Sequence, residues 1–239
     1  MNGQPLQAAI IDLDGTMVDT MGDFCEVLRR TLGDLDLPTV GRADVERLVG
    51  KGSEHLIRST LDLVSELPEV LAKWSSDAIN SESNYERAWT AYQRHYRDIN
   101  GQYAAVYPGV LEGLQHLQGS GLMLACLTNK PLAFARPLLA AKGLDRFFEV
   151  VFGGDSFERK KPDPLPLLKT CEALGSLPAR TLVVGDSSND ARAARAAGCP
   201  VLLVTYGYNH GEPVRAVDAD GFVDSLRLIS WGQSKTHCV

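Results

Sequence analysis

Four clusters of side chains able to do chemistry stand out in the 239-residue chain, each at or shortly after a short apolar run. They are Asp12-Leu13-Asp14-Gly15-Thr16, Thr128-Asn129-Lys130, Lys160-Lys161-Pro162-Asp163-Pro164 and Gly185-Asp186-Ser187-Ser188-Asn189-Asp190. Several acids gathered beside a lone lysine repel one another unless a cation intervenes. Hard oxygen donors, with no His or Cys cluster beside them, favour magnesium over zinc. Asp12 points into such a site from a strand, and Asp14 follows on the turn. A carboxylate near a metal is a competent nucleophile toward phosphorus and gives an aspartyl-phosphate. A second carboxyl, kept protonated by its neighbour's charge, supplies a proton to a leaving alkoxide. A DxD after a strand could merely cap the next helix; three further polar strand ends argue for a site.

The elements that must position these groups are legible from hydrophobic pattern. Ala8 to Ile11, Leu122 to Leu127, Val150 to Phe152, Thr181 to Val184 and Val201 to Val204 are apolar without alternation. Such runs predict parallel strands covered on both faces. Helical stripes lie between them: Leu111, Leu114, Leu117; Leu138, Leu139, Leu144; Leu165, Leu167, Leu168, Cys171; and the alanine-rich segment from Ala191 to Ala197. Strand alternating with helix predicts an α/β, doubly wound parallel sheet of Rossmann-like form. In such sheets ligands bind beyond the carboxyl ends of the strands, where all four clusters fall.

Spacing exposes an insertion. Asp12 and Thr128 are 116 positions apart, leaving roughly 80 residues beyond one strand–helix crossover. The excess carries helical stripes (Phe24, Val27, Leu28; Leu56, Ile57, Leu61, Val64; Tyr85, Ala88, Trp89, Tyr92, Tyr96). The expected division is a core of residues 1–19 and 99–239 with an all-helical cap subdomain over 20–98. Hinged near Thr16 to Thr20 and Asn100 to Tyr107, the cap would close over a small substrate and exclude water. Within it, Gly50-Lys51-Gly52 precedes a helix start, and free N–H groups there with the Lys51 charge would meet a substrate carboxylate. The aromatic stripe reads as the cap's own core, and His55, His95, His116, His210 and His237 share no ligand spacing.

Composition excludes several classes. Twenty-four basic against thirty acidic residues give a net charge of −6, which suits no nucleic-acid partner. No stretch of about 20 apolar residues exists, and no export signal is visible. Cys25, Cys126, Cys171, Cys199 and Cys238 are scattered without a CxxC pair, as expected of reduced thiols in a cytoplasmic protein. The polar tail from Gly232 to Val239 is expected to fray.

Asp12-Leu13-Asp14-Gly15-Thr16-Met17-Val18-Asp19 resembles the first motif, DxDGTxxD, of the haloacid dehalogenase superfamily of aspartate-nucleophile phosphatases. Leu127-Thr128-Asn129, Lys161-Pro162-Asp163-Pro164 and Gly185 to Asp190 resemble its second, third and fourth motifs, in the right order. Tyr107-Pro108-Gly109-Val110 and Thr205-Tyr206-Gly207-Tyr208-Asn209 further resemble the phosphoglycolate phosphatase branch. The resemblance implies Asp12 as nucleophile and Asp14 as the acid that protonates the leaving oxygen, then activates water. It implies a magnesium ion held by the Asp12 carboxylate, the Asp14 carbonyl and Asp186, with Asp190 orienting metal-bound water or Lys161. Thr128 and the Asn129 N–H would hold phosphate oxygens that Lys161 neutralises. The implied activity is magnesium-dependent hydrolysis of a small acidic phosphomonoester, 2-phosphoglycolate first, by a monomer or homodimer. A phosphosugar mutase and a broad-specificity phosphatase or pyrophosphatase are the alternatives. Dehalogenation is disfavoured, having no use for Asp14 or Asp186.

Overall fold

The computed structural model describes residues 5–229, so the tail from Gly232, with His237 and Cys238, lies outside the described residues. The chain opens with β1 (Ala8–Ile11) and the two-residue strand β2 (Val18–Asp19). Six helices follow: α1 (Met21–Gly33), α2 (Arg42–Leu48), α3 (Ser53–Ser65), α4 (Pro68–Leu71), α5 (Ser76–Ile79) and α6 (Glu82–Ile99). After β3 (Ala105–Val106) come α7 (Val110–Gly119), β4 (Met123–Leu127), α8 (Leu132–Ala141), β5 (Val150–Phe152) and α9 (Leu165–Leu174). The last elements are β6 (Thr181–Gly185), α10 (Ser188–Ala197), β7 (Val201–Val204) and β8 (Gly221–Val223).

Six strands form one parallel sheet in the order β5-β4-β1-β6-β7-β8. Side chains alternate across a strand, and β1 uses both faces. Ala9 and Ile11 join a cluster with Val110, Leu114 and Leu117 of α7 and Leu138 and Leu139 of α8. Ala8 and Ile10 join the opposite cluster, with Leu167 and Cys171 of α9 and Ala191 and Ala194 of α10. Every β1 side chain is therefore buried, which is why its sequence is uniformly apolar. The α/β doubly wound expectation holds. The edge strand β8 carries no apolar run, and β2 and β3 have two residues each, so pattern alone does not signal them.

Helices α1–α6 stand between β2 and β3, which pair antiparallel through Val18–Val106 and Asp19–Ala105. They surround their own apolar cluster, in which Phe24, Leu28, Leu56, Tyr92 and Tyr96 meet Phe134 and Tyr208 of the sheet domain. Two side chains fix how the chain leaves and re-enters the sheet domain. Asp23, fully buried, accepts the N–H groups of Gly101 (2.7 Å) and Tyr103 (2.8 Å) and so ties α1 to the returning strand. The Tyr208 hydroxyl accepts the N–H groups of Thr20 (2.8 Å) and Met21 (3.0 Å) at the start of α1 and donates to Asp19 (2.7 Å). No helix among the described residues is long and apolar enough to cross a membrane.

Replacing Asp23 by Ala strands two buried N–H donors. Asp23→Ala is expected to lower unfolding stability by about 2 kcal/mol, measured by urea denaturation.

Candidate active site

The chain runs outward from β1 through β4 to β5 on one side, then through β6 and β7 to β8 on the other. This reversal opens a crevice at the carboxyl end of β1. Asp12 follows β1, its N–H held by the Val184 carbonyl at 2.9 Å. Thr128 follows β4, Asp186 follows β6, and Lys161 comes from the loop after β5. All four side chains line one cavity of about 40 Å³, space for a few waters or one small anion.

Lys161 organises the acids. Its Nζ donates to Asp12 Oδ1 (2.8 Å), Asp190 Oδ1 (2.7 Å) and the Leu127 carbonyl (2.9 Å). An ammonium has three N–H donors, so all are used, and Lys161 would act on a phosphate through its charge. Burial alone would lower the Lys161 pKa, but Asp12 and Asp190 together hold it above the usual lysine value. Asp190 Oδ2 accepts from the Ser187 N–H (3.2 Å) and hydroxyl (2.8 Å), closing the capping box of α10. Both Asp190 oxygens are thus engaged by protein groups, an arrangement suited to orienting Lys161.

Carboxylate oxygens of Asp12, Asp186 and Asp190 lie within 4.8 Å of one another. Burial pushes the Asp12 carboxyl up to about 7; Lys161 opposes the shift and Asp190 adds to it. Burial, then repulsion from Asp190 and Asp12, raises Asp186 well above the usual carboxylate range. Asp186 accepts the Tyr208 N–H at 2.8 Å. A Cβ added at Gly15 (φ +79°) or Gly207 would overlap the Asp186 carboxylate, so two glycines make room for it.

The expected lone lysine has a companion. Lys130 Nζ donates to Asp14 Oδ1 (2.9 Å) and Oδ2 (3.2 Å), with its side chain 2% exposed. Four carboxylates against two ammonium groups leave a net charge of −2, which one divalent cation balances. The oxygen-only donor set suits a hard cation. Beside them, Thr128 accepts the Lys130 N–H at 3.2 Å. No protein acceptor meets the Asn129 N–H among the described residues.

The glycine loop between α2 and α3 roofs the cavity. Gly50 and Gly52 line it, with φ of +98° and +92° that favour glycine. The Gly50 carbonyl accepts the side-chain amides of Asn129 (3.0 Å) and Asn189 (3.2 Å), and the neighbouring Val49 carbonyl accepts His210 Nδ1 at 2.8 Å. Lys51 departs from expectation: it is exposed and outside the cavity lining, because the flanking turns send main-chain carbonyls inward. Sequence reasoning gave no role to Lys130, Asn189, Tyr208 or His210. Lys130, Asn189 and Tyr208 sat within quoted motifs, and His210 carried no spacing signal.

The model of the haloacid dehalogenase-like hydrolase family matches residues 9–204. Among curated proteins, the chain is 40% identical over 222 residues to a phosphoglycolate phosphatase of Thiobacillus denitrificans, covering 93% of each chain. It is 43% identical over 225 residues to a plasmid-encoded phosphoglycolate phosphatase of Cupriavidus necator, covering 94% of this chain and 92% of the relative. The crystal structure of a predicted phosphoglycolate phosphatase from Haemophilus somnus superposes with a TM-score of 0.87 at 30% identity, over 95% of this chain and 97% of the other.

Removing the Lys161 charge leaves buried acids uncompensated. Without added cation, Lys161→Met is expected to cost about 3–5 kcal/mol of stability at pH 8. The cost shrinks at pH 5.5, where protonation of Asp12 and Asp186 relieves the repulsion, and urea melts at the two values check it.

Proposed function

The chain belongs to the haloacid dehalogenase-like hydrolase family, and on that premise we propose that it hydrolyses 2-phosphoglycolate through an aspartyl-phosphate, with magnesium as its cation. One observation carries the reading: Asp12 and Asp190 share Lys161 in the cavity that Asp14 and Asp186 also line. The names of the relatives support the substrate.

Lys161 fixes the Asp12 carboxylate against the strand end, so that an unbonded carboxylate oxygen attacks phosphorus as the ester P–O bond breaks. Asp14, entering the step protonated with one of its Lys130 contacts released, gives its proton to the departing alkoxide. It then takes one from the water that hydrolyses the acyl phosphate, which restores Asp12. Thr128 and the Asn129 N–H hold phosphate oxygens, and the Lys161 charge offsets the negative charge that develops on them. The Asp12 and Asp186 carboxylates and the Asp14 carbonyl would hold the magnesium, while Asp190 keeps Lys161 in place. When bound, the ion supplies Lewis-acid polarisation and charge balance. We take residues 20–98 as a lid whose Gly50 carbonyl, bound to Asn129 and Asn189, shuts water out.

Asp12→Asn is expected to lower kcat for phosphate release by about 10⁴-fold or more, with an unchanged circular dichroism spectrum; retained turnover would remove Asp12 from its role. If the wild-type protein interconverts glucose phosphates faster than it releases phosphate from 2-phosphoglycolate, the substrate assignment fails.

A cation test follows from Asp12. Between its ordinary value of 3.8 and about 7, the folded protein holds a proton that the unfolded chain has lost. Cation-free stability therefore declines as pH rises through that window. Magnesium relieves this cost, so it is expected to raise Tm more at pH 8 than at pH 5.5. Equal shifts in differential scanning calorimetry would contradict the cation site.

A further inference from the structure

We propose that Lys130 is the residue that binds the substrate's carboxylate, making it the specificity determinant of the site; this rests on the reading of the substrate as an acidic phosphomonoester. Three cationic or potentially cationic side chains line the cavity: Lys130, Lys161 and His210. Lys161 is saturated by Asp12, Asp190 and the Leu127 carbonyl. Both ring nitrogens of His210 are engaged, Nδ1 by the Val49 carbonyl (2.8 Å) and Nε2 by the Asn189 side chain (3.2 Å). Among the described residues the Lys130 ammonium has one polar partner, the Asp14 carboxylate, which takes at most two of its three donors. One N–H remains for a ligand.

The surroundings of the ammonium keep water away from it. The Phe24 ring of α1 and the Tyr96 ring of α6 each have their centroid 4.7 Å from Nζ. These faces exclude solvent and stabilise the cation, so its charge acts at low effective dielectric and pairs strongly with a carboxylate. Position also matches. In 2-phosphoglycolate the carboxylate is attached to the carbon that carries the ester oxygen, and Asp14 is the group assigned to protonate that oxygen. A cation bonded to Asp14 is therefore at the right end of the substrate. Lys51, the residue that charge near a glycine loop singles out in the sequence, lies outside the lining. Because Phe24 and Tyr96 belong to the helical insertion, the carboxylate pocket is complete only when that insertion sits over the sheet domain.

The test compares 2-phosphoglycolate with ethyl phosphate, which lacks the carboxylate, on wild type, Lys130→Met and Lys130→Arg. Met keeps the packing against the rings, and Arg keeps the charge. Losing Asp14's partner lowers kcat/KM for both esters, so the ratio between them is the readout. Lys130→Met is expected to reduce the preference for 2-phosphoglycolate by about 10- to 100-fold, with Lys130→Arg recovering part of it. An unchanged ratio in Lys130→Met, or a wild type with no preference between the esters, would overturn the assignment while leaving the phosphatase reading intact. Failure of the phosphatase reading appears differently, as no phosphate release from either ester. Glycolate binding, measured by calorimetry on wild type and Lys130→Met, then decides alone: weaker binding by the variant supports Lys130, and equal binding overturns it. Thermal melts of both variants establish that they fold, and if Lys130→Met does not, Lys130→Gln replaces it on the same criteria.

Discussion

Like charges buried together are the constraint from which the rest of this molecule follows. Asp12, Asp186 and Asp190 approach within 4.8 Å in a cavity with little solvent, where their repulsion is far larger than in water. Lys161 neutralises part of it by spending every donor on protein acceptors. The remainder is answered by a cation or by protons. That leftover negative charge would favour a bound cation, and the adjacent ends of β1 and β6, with the first turn of α10, are what hold the three acids so close.

Around this centre the molecule divides its labour by depth. The sheet domain supplies acids and ammonium groups from strand ends, the loop after β5 and the first turn of α10, while the helical insertion supplies aromatic faces and main-chain carbonyls from above. Tyr208 belongs to both systems: its N–H holds Asp186, and its hydroxyl organises the entry to α1. A disturbance at the Asp186 carboxylate therefore reaches the start of α1 through one residue.

Much of this was legible in the chain itself. Uninterrupted apolar runs marked five of the six strands of the parallel sheet because helices cover both of its faces, and the 116 positions between Asp12 and Thr128 revealed that something was inserted. What escaped depends on long-range approach. Lys130 stands beside a recognisable strand end, yet its partner Asp14 is 116 residues away and its aromatic neighbours are on two inserted helices. His210 looked like an isolated histidine because what it holds is a carbonyl, and carbonyls leave no trace in residue type. Lys51 lies outside the cavity lining, and it is the main-chain carbonyls of Val49 and Gly50 beside it that meet the sheet domain. The short strands β2, β3 and β8 fell below the length at which a pattern registers.

The roof over the cavity is gripped by its backbone. Val49 and Gly50 offer only peptide oxygens to His210, Asn129 and Asn189, so the fastening uses no side chain of the loop, while Gly50, whose added Cβ would press on His210, must stay a glycine. The contact between insertion and sheet domain is thereby carried by main chain on one side, and the side chains that line the cavity beside it, such as Ser53 and Leu56, take no part in it. A change in the substrate-facing side chains there would leave the main-chain fastening where it is.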